Sequence, residues 1–253
     1  MADPLLAAFH GTLWAALGSG LGACAAFAPA APAPRGTAAL LGFAGGVMLA
    51  AALLSLLPQA LALPRGGLGP VLLGFGLGVA LIWALDLFVP HQHPGAPAQD
   101  HASERRLHVG VLIALAITLH NLPEGMAVGV AAAAGAGGAD TGAVVWAIAA
   151  HNVVEGVLVA FPLRLAGLRP WPAFACAQVA GLAEVAAGLV AALLVTQAAW
   201  LLPAALAFAG GAMVYLVFEE LLPEALRAAD GNAASLGGTA GIVLVLVLGA
   251  ATG

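Results

Sequence analysis

The sequence predicts an all-α polytopic membrane protein with eight transmembrane helices, and three observations carry that prediction. Only 8% of the 253 residues are Asp, Glu, Lys or Arg, against about 25% in a soluble domain. Hydrophobic residues make up 62%, with a mean hydropathy of +1.05, more apolar surface than a water-soluble chain of this length can hide in one core. Eight apolar segments can be marked, at about 5–28, 37–61, 67–90, 107–134, 142–162, 171–196, 200–222 and 233–251. Each reaches the ~20 residues that cross a hydrocarbon layer of ~30 Å at 1.5 Å per residue.

The first segment is read as a retained helix and not as a signal peptide. The stretch before it carries Asp3 and no base, and its apolar run is long enough to span. The Pro-rich stretch Pro29 to Gly36 separates the first segment from the second, and the turn Pro64-Arg65-Gly66-Gly67 separates the second from the third. A polar loop from His91 to His108 follows. The later breaks are a Gly-rich link at 137–140, the loop 164–172, a short break at 197–201, and 227–232. With 34 glycines and long Ala-rich runs, the segments are expected to pack at close backbone distance. The whole chain, 1–253, is read as a single transmembrane domain with the 91–108 loop inside it.

Arginine placement tests the count. If the first helix starts outside, the odd-numbered loops face the cytoplasm and hold Arg35, Arg105, Arg106, Arg164, Arg169 and Arg227, while the even-numbered loops hold Arg65 alone. This positive-inside bias puts both termini outside. A formal charge of -5, with no lysine, excludes a basic nucleic-acid face. Cys24 and Cys176 fall in no metal or redox spacing and are read as small buried hydrophobes.

Ionisable side chains in mid-membrane cost several kcal/mol each and need a reason. The fourth segment reads His120-Asn121-Leu122-Pro123-Glu124-Gly125 and the fifth His151-Asn152-Val153-Val154-Glu155-Gly156. In each, His and Glu lie four apart and share one helix face. Asn lies about 100° around the helix, toward a neighbouring position. Two such elements on consecutive antiparallel helices bring two imidazoles and two carboxylates to one depth. That donor set suits Zn²⁺ and tolerates Fe²⁺, Mn²⁺ and Cd²⁺, and the metal neutralises the carboxylates. Pro123 removes a backbone N–H and frees the carbonyl of Leu119. A loosened turn of this kind marks ion sites in transport helices.

Glu184 lies at mid-depth in the sixth segment, placed either to complete the coordination or to hold a second ion. Ser55 and Gln59 follow Met48 toward the outer end of the second segment. Asp86, Glu219, Glu220 and Glu224 stand at the inner ends of the third and seventh, where an acidic vestibule would concentrate cations. The loop gathers His91, His93, His101 and His108, a composition that binds metal loosely. Bland alternatives stand beside these readings. The His/Glu cluster can be an interhelical hydrogen-bond network, Met48 a core filler, Ser55 a hydroxyl bonded back to its own helix. The terminal carboxylates can be partners of loop arginines, and the loop histidines simply solvated.

Among function classes, an intramembrane metalloprotease would show H-E-x-x-H on one helix, which is absent, so no enzyme is expected. A proton-coupled carrier of an organic substrate would not need two matching His/Glu elements. A passive divalent-metal channel using the same ligands stays open as an alternative to a carrier.

At these motifs the chain resembles the ZIP (Zrt/Irt-like protein) family of divalent metal transporters, and its bacterial branch in particular. The likeness extends over essentially the whole chain. It includes Gly42–Ala50 of the second segment and the run Glu219–Ala225 of the seventh. The resemblance implies a 3+2+3 helix bundle in a bacterial cytoplasmic (inner) membrane, commonly a homodimer, that moves metal into the cytoplasm without a resident cofactor. It implies a binuclear centre, with one metal on Met48, His120, Glu124, His151 and Glu155 and the other on Asn121, Glu124, Asn152, Glu155 and Glu184. It also implies that helices 1, 4, 5 and 6 slide against the others. Two departures are visible. Val154 stands where many members have proline, and Gln59 where many have Glu, which is expected to weaken metal capture at the entrance.

Overall fold

The computed structural model of the chain describes residues 3–29, 33–63, 65–86, 118, 121–133, 139–165, 167–229 and 231–252, and all regular structure among them is helical. Helix α1 runs over Pro4–Phe27, its last turn tightened to a 3₁₀ form at Cys24–Phe27. Next come α2 (Pro34–Ala62), α3 (Leu68–Asp86), α4 (121–133) and α5 (Ala139–Leu165). They are followed by α6 (Pro170–Gln197), α7 (Ala199–Ala228) and α8 (Gly231–Thr252). Of these, α1, α2, α5, α6, α7 and α8 are long and apolar enough to cross a membrane, and α3 is apolar but shorter over Leu68–Ala84.

The starts follow local chemistry. Asp3 accepts from the Leu5 amide at 2.9 Å, and Pro4 opens α1. Pro34 and Pro170 open α2 and α6 after residues in extended conformation. Proline suits this place because the first helical amides have no intrahelical acceptor. Gly67 (φ 91) and Gly167 (φ 96) take left-handed conformations in the turns before α3 and α6. Between α6 and α7 the chain breaks at Ala198, with φ -135 and ψ 68.

Helices α2 and α7 share a device that the apolar segments do not reveal. Each widens to a π turn, at Ala51–Leu56 and Val217–Leu221, just before a Leu-Pro pair, Leu57-Pro58 and Leu222-Pro223. Proline clashes with the carbonyl four residues back and offers it no N–H. A π turn relieves that conflict without ending the helix. Helix α7 therefore continues to Ala228 instead of ending at 222.

The helices fall into two groups. Helix α1 packs along α5 and α6, while α2 packs along α8 and α3 along α7. Glycines bring the members of each group to backbone contact. A Cβ at Gly125 or Gly129 of α4 would meet the backbone of Glu184 or Gly188 on α6, and one at Gly18 of α1 would meet the Ala149 carbonyl on α5. In the other set, Gly46 of α2 faces Gly238 on α8, and Gly74 of α3 faces Ala204 on α7. Each described helical glycine with a neighbour on another helix finds it inside its own group. Between α1/α4/α5/α6 and α2/α3/α7/α8 the boundary includes apolar contacts such as Val47, Ala50 and Val245 around Ala147.

One expectation is corrected. Cys24 and Cys176 are not buried but point out of the bundle. In a bilayer the outward face is as apolar as the interior, so a small hydrophobe has no preference between them.

Candidate metal centre

Helices α4 and α5 carry Glu124, His151 and Glu155 into the interior, and one ligand atom from each lies within 4.8 Å of the other two. His151 Nε2 stands 3.0 Å from Glu124 Oε1 and 3.1 Å from Glu155 Oε1. Its Nδ1 lies 3.1 Å from the carbonyl oxygen of Ala44 on α2. A carbonyl only accepts, so Nδ1 carries the proton, and in the neutral ring Nε2 turns its lone pair toward the two carboxylates. In that form three electron-rich atoms face one another in a buried interior. Such an arrangement repels itself unless a cation or protons stand between. Side chains of this kind do not ionise there without a partner.

The asparagines point the same way. Asn121 Nδ2 donates to the Ala180 carbonyl of α6 at 2.8 Å. Asn152 Nδ2 donates to the Ala15 carbonyl of α1 at 3.0 Å and to Glu184 Oε2 at 2.6 Å. These bonds spend the amide hydrogens on neighbouring helices. They leave Asn121 Oδ1, Asn152 Oδ1, Glu184 Oε1 and Glu155 Oε2 buried and without a hydrogen-bond partner among the described residues. All four atoms are acceptors, and each such orphan costs on the order of 1–3 kcal/mol. Each amide is thus tied down through its nitrogen and leaves its oxygen unpartnered among the described residues. Glu184 is fully buried and stands outside the trio, joined to α5 through Asn152.

The remaining expected residues are placed as follows. Met48 is buried one helical turn past Ala44, on the face of α2 that receives His151. Ser55 is half-buried within the π turn of α2, and Gln59 is half-buried beyond it. Glu219 is exposed and Glu220 half-buried in the π turn of α7, while Glu224 pairs with Arg227 at 3.4 Å. His120, His91, His93, His101 and His108 lie outside the described residues, as does the side chain of Asp86. Sequence reasoning missed the carbonyls of Ala15, Ala44 and Ala180, and the hydroxyl of Ser19. The backbone acceptors leave no trace in residue type. Ser19 did leave one, as a polar residue between Gly18 and Gly20 in an apolar run.

Comparison with known proteins gives a consistent result. The family described as ZIP Zinc transporter matches residues 87–251. The chain is 36% identical over 261 residues to the zinc transporter ZupT of Corynebacterium efficiens, covering 96% of both chains. It is 38% identical over 243 residues to the zinc transporter ZIPB of Bordetella bronchiseptica, covering 92% of this chain and 77% of that one. A eukaryotic relative is also similar: the zinc transporter ZIP11 of Homo sapiens, 31% identical over 298 residues, with 82% of this chain and 86% of the relative covered.

Proposed function

The chain belongs to the ZIP family of membrane metal transporters, and from that premise we propose that it carries divalent transition-metal ions, zinc first, into the cytoplasm through the buried centre between α4, α5 and α6. The observation that carries this reading is the excess of acceptors: Glu124, His151 and Glu155 within 4.8 Å, with four further orphaned oxygens about them. A bilayer interior tolerates that set only when cations or protons neutralise it, and a metal ion carried as cargo does so. The names of the relatives, all zinc transporters, favour zinc over Fe²⁺, Mn²⁺ and Cd²⁺.

The finer reading is binuclear. His151 Nε2, Glu124 and Glu155 hold one ion, with Met48 and His120 completing it. Asn121, Asn152 and Glu184 hold the second, and Glu124 and Glu155 bridge. Glu184 standing outside the trio supports two positions over one. In this reading eight helices span the membrane as 3+2+3, with both termini outside. Transport proceeds by α1, α4, α5 and α6 sliding as a unit against the other four helices. Glycine contacts confined within each group support that division, because a sliding boundary must lack interlocked backbones.

Metal uptake into proteoliposomes tests the proposal. Saturable Zn²⁺ flux is expected from the wild-type protein and should vanish in Glu124→Ala. A cross-link between α2 and α5 should stop flux while metal still binds at equilibrium. Flux that survives Glu124→Ala would remove the centre from the path, and flux unaffected by the cross-link would replace the carrier with a channel.

A further inference from the structure

The hydroxyl of Ser19 is unlike the threonine hydroxyls the structure describes in full. Thr12, Thr37, Thr196 and Thr239 each bond back to a carbonyl three or four residues earlier in their own helix, the usual way a hydroxyl is satisfied in an apolar helix. Ser19 is 2% exposed and its Oγ has no partner among the described residues. Its local acceptor, the carbonyl of Ala15 four residues back, is occupied by Asn152 Nδ2 at 3.0 Å. The same nitrogen holds Glu184 Oε2 at 2.6 Å.

Its surroundings belong to the centre. The Ser19 hydroxyl lies against Gly181, three residues before Glu184 on α6, so closely that a Cβ there would collide with it. The Ser19 carbonyl lies against Gly156, the residue after Glu155 on α5. Asn121 is anchored to Ala180, beside Gly181, with its own Oδ1 unpartnered. Two glycines thus admit Ser19 to the seam between the two helices that bear Glu155 and Glu184. Four orphaned oxygens, on Ser19, Asn121, Asn152 and Glu184, come from four different helices.

Resting on the metal-carrying reading above, we propose that Ser19 is a further ligand of the cargo ion, the contribution of α1 to the position shared by Asn121, Asn152 and Glu184. A neutral hydroxyl raises the coordination number without adding negative charge. As a hard oxygen donor it favours Zn²⁺ over the softer Cd²⁺. It also makes each of α1, α4, α5 and α6 a contributor to the ion's surroundings.

The test uses the purified full-length protein with Co²⁺ as a spectroscopic probe, comparing wild type, Ser19→Ala and Ser19→Cys after confirming that each is folded and of wild-type size. Ser19→Ala should bind Co²⁺ roughly tenfold more weakly. Ser19→Cys should add a thiolate-to-cobalt charge-transfer band absent from wild type, whose Cys24 and Cys176 face outward, and should shift preference from Zn²⁺ toward Cd²⁺ by about tenfold. A folded Ser19→Cys that binds Co²⁺ without that band overturns the assignment, whatever Ser19→Ala does. Wild-type protein that binds no Co²⁺ or Zn²⁺ would instead overturn the metal-carrying reading and this assignment with it.

Discussion

Glycine brings helices to backbone contact in both four-helix groups, yet what the groups enclose is opposite. Every buried polar or charged side chain among the described residues belongs to α1, α4, α5 or α6: Thr12, Ser19, Asn121, Glu124, His151, Asn152, Glu155 and Glu184. The group α2/α3/α7/α8 buries Met48, Leu56, Leu206 and Met213 instead. Lipid gives helices no hydrophobic reason to associate, so close packing by small residues must hold both groups together. In the first group the same closeness does a second task. It brings the carbonyls of Ala15 and Ala180 within reach of Asn152 and Asn121, and so orients oxygens that a looser bundle would leave to water. The second group packs mainly by shape and reaches the centre through the Ala44 carbonyl and Met48 of α2.

That contrast is broken most severely by changing one residue in each group. His151→Ala should reduce Zn²⁺ uptake by roughly 100-fold or more, since outer-shell changes alone cost 10–100-fold. Met213→Ala should lower stability by about 2–5 kcal/mol while uptake per folded molecule stays near wild type. Thermal unfolding and proteoliposome flux, measured side by side, read both. Equal loss of flux per folded molecule would mean that the apolar group also shapes the path.

A smaller effect comes from glycine. Gly125→Ala and Gly46→Ala each push a Cβ into a facing backbone, at Glu184 and Gly238, at a cost of about 1–3 kcal/mol each. Only Gly125→Ala should also weaken metal affinity, by about tenfold, because it moves the segment that carries Glu184. Metal titration of the two folded variants distinguishes them.

The effect of pH is milder. Metal and protons compete for the lone pair of His151 and for the carboxylates. Affinity should therefore fall as pH drops and these groups take up protons, and recover as pH rises. An apolar-group variant such as Met213→Ala should follow the wild-type profile. Affinity that is flat from pH 8 to pH 5, on the order of three units, would argue against an imidazole ligand. The smallest change is expected at the rim: Gln59→Glu should lower the KM for uptake by about two- to threefold through local attraction of cations, with the maximal rate unchanged.

Six of the expected spans, α1, α2, α5, α6, α7 and α8, were legible because hydropathy in a membrane protein is nearly a direct reading of solvent. Their ends were less so. The segment ending at 222 stops where Leu222-Pro223 would ordinarily halt a helix, but the π turn at Val217–Leu221 absorbs the proline and α7 continues to Ala228. The cluster of Glu124, His151 and Glu155 was legible from H-N-x-x-E-G, since four-residue spacing fixes a common face. Glu184 was visible as a charge with no other reason to be there. Ser19 was not singled out, because its role depends on α1 lying between α5 and α6, which no local pattern encodes. The outward cysteines show the same limit. A helix apolar all round does not declare which side it turns to its neighbours.

The bond from His151 Nδ1 to the Ala44 carbonyl joins a helix of the polar group to a helix of the apolar one. It is a clasp, and in the sliding mechanism proposed above a slide of α5 along α2 would open it. An ion on Nε2 withdraws electron density from the ring and makes Nδ1–H a stronger donor, so a loaded centre closes the clasp more firmly than an empty one. By reciprocity, whatever opens the clasp must loosen the ion by the same free energy. Under that mechanism, letting go of α2 and letting go of the cargo would be two readings of one equilibrium.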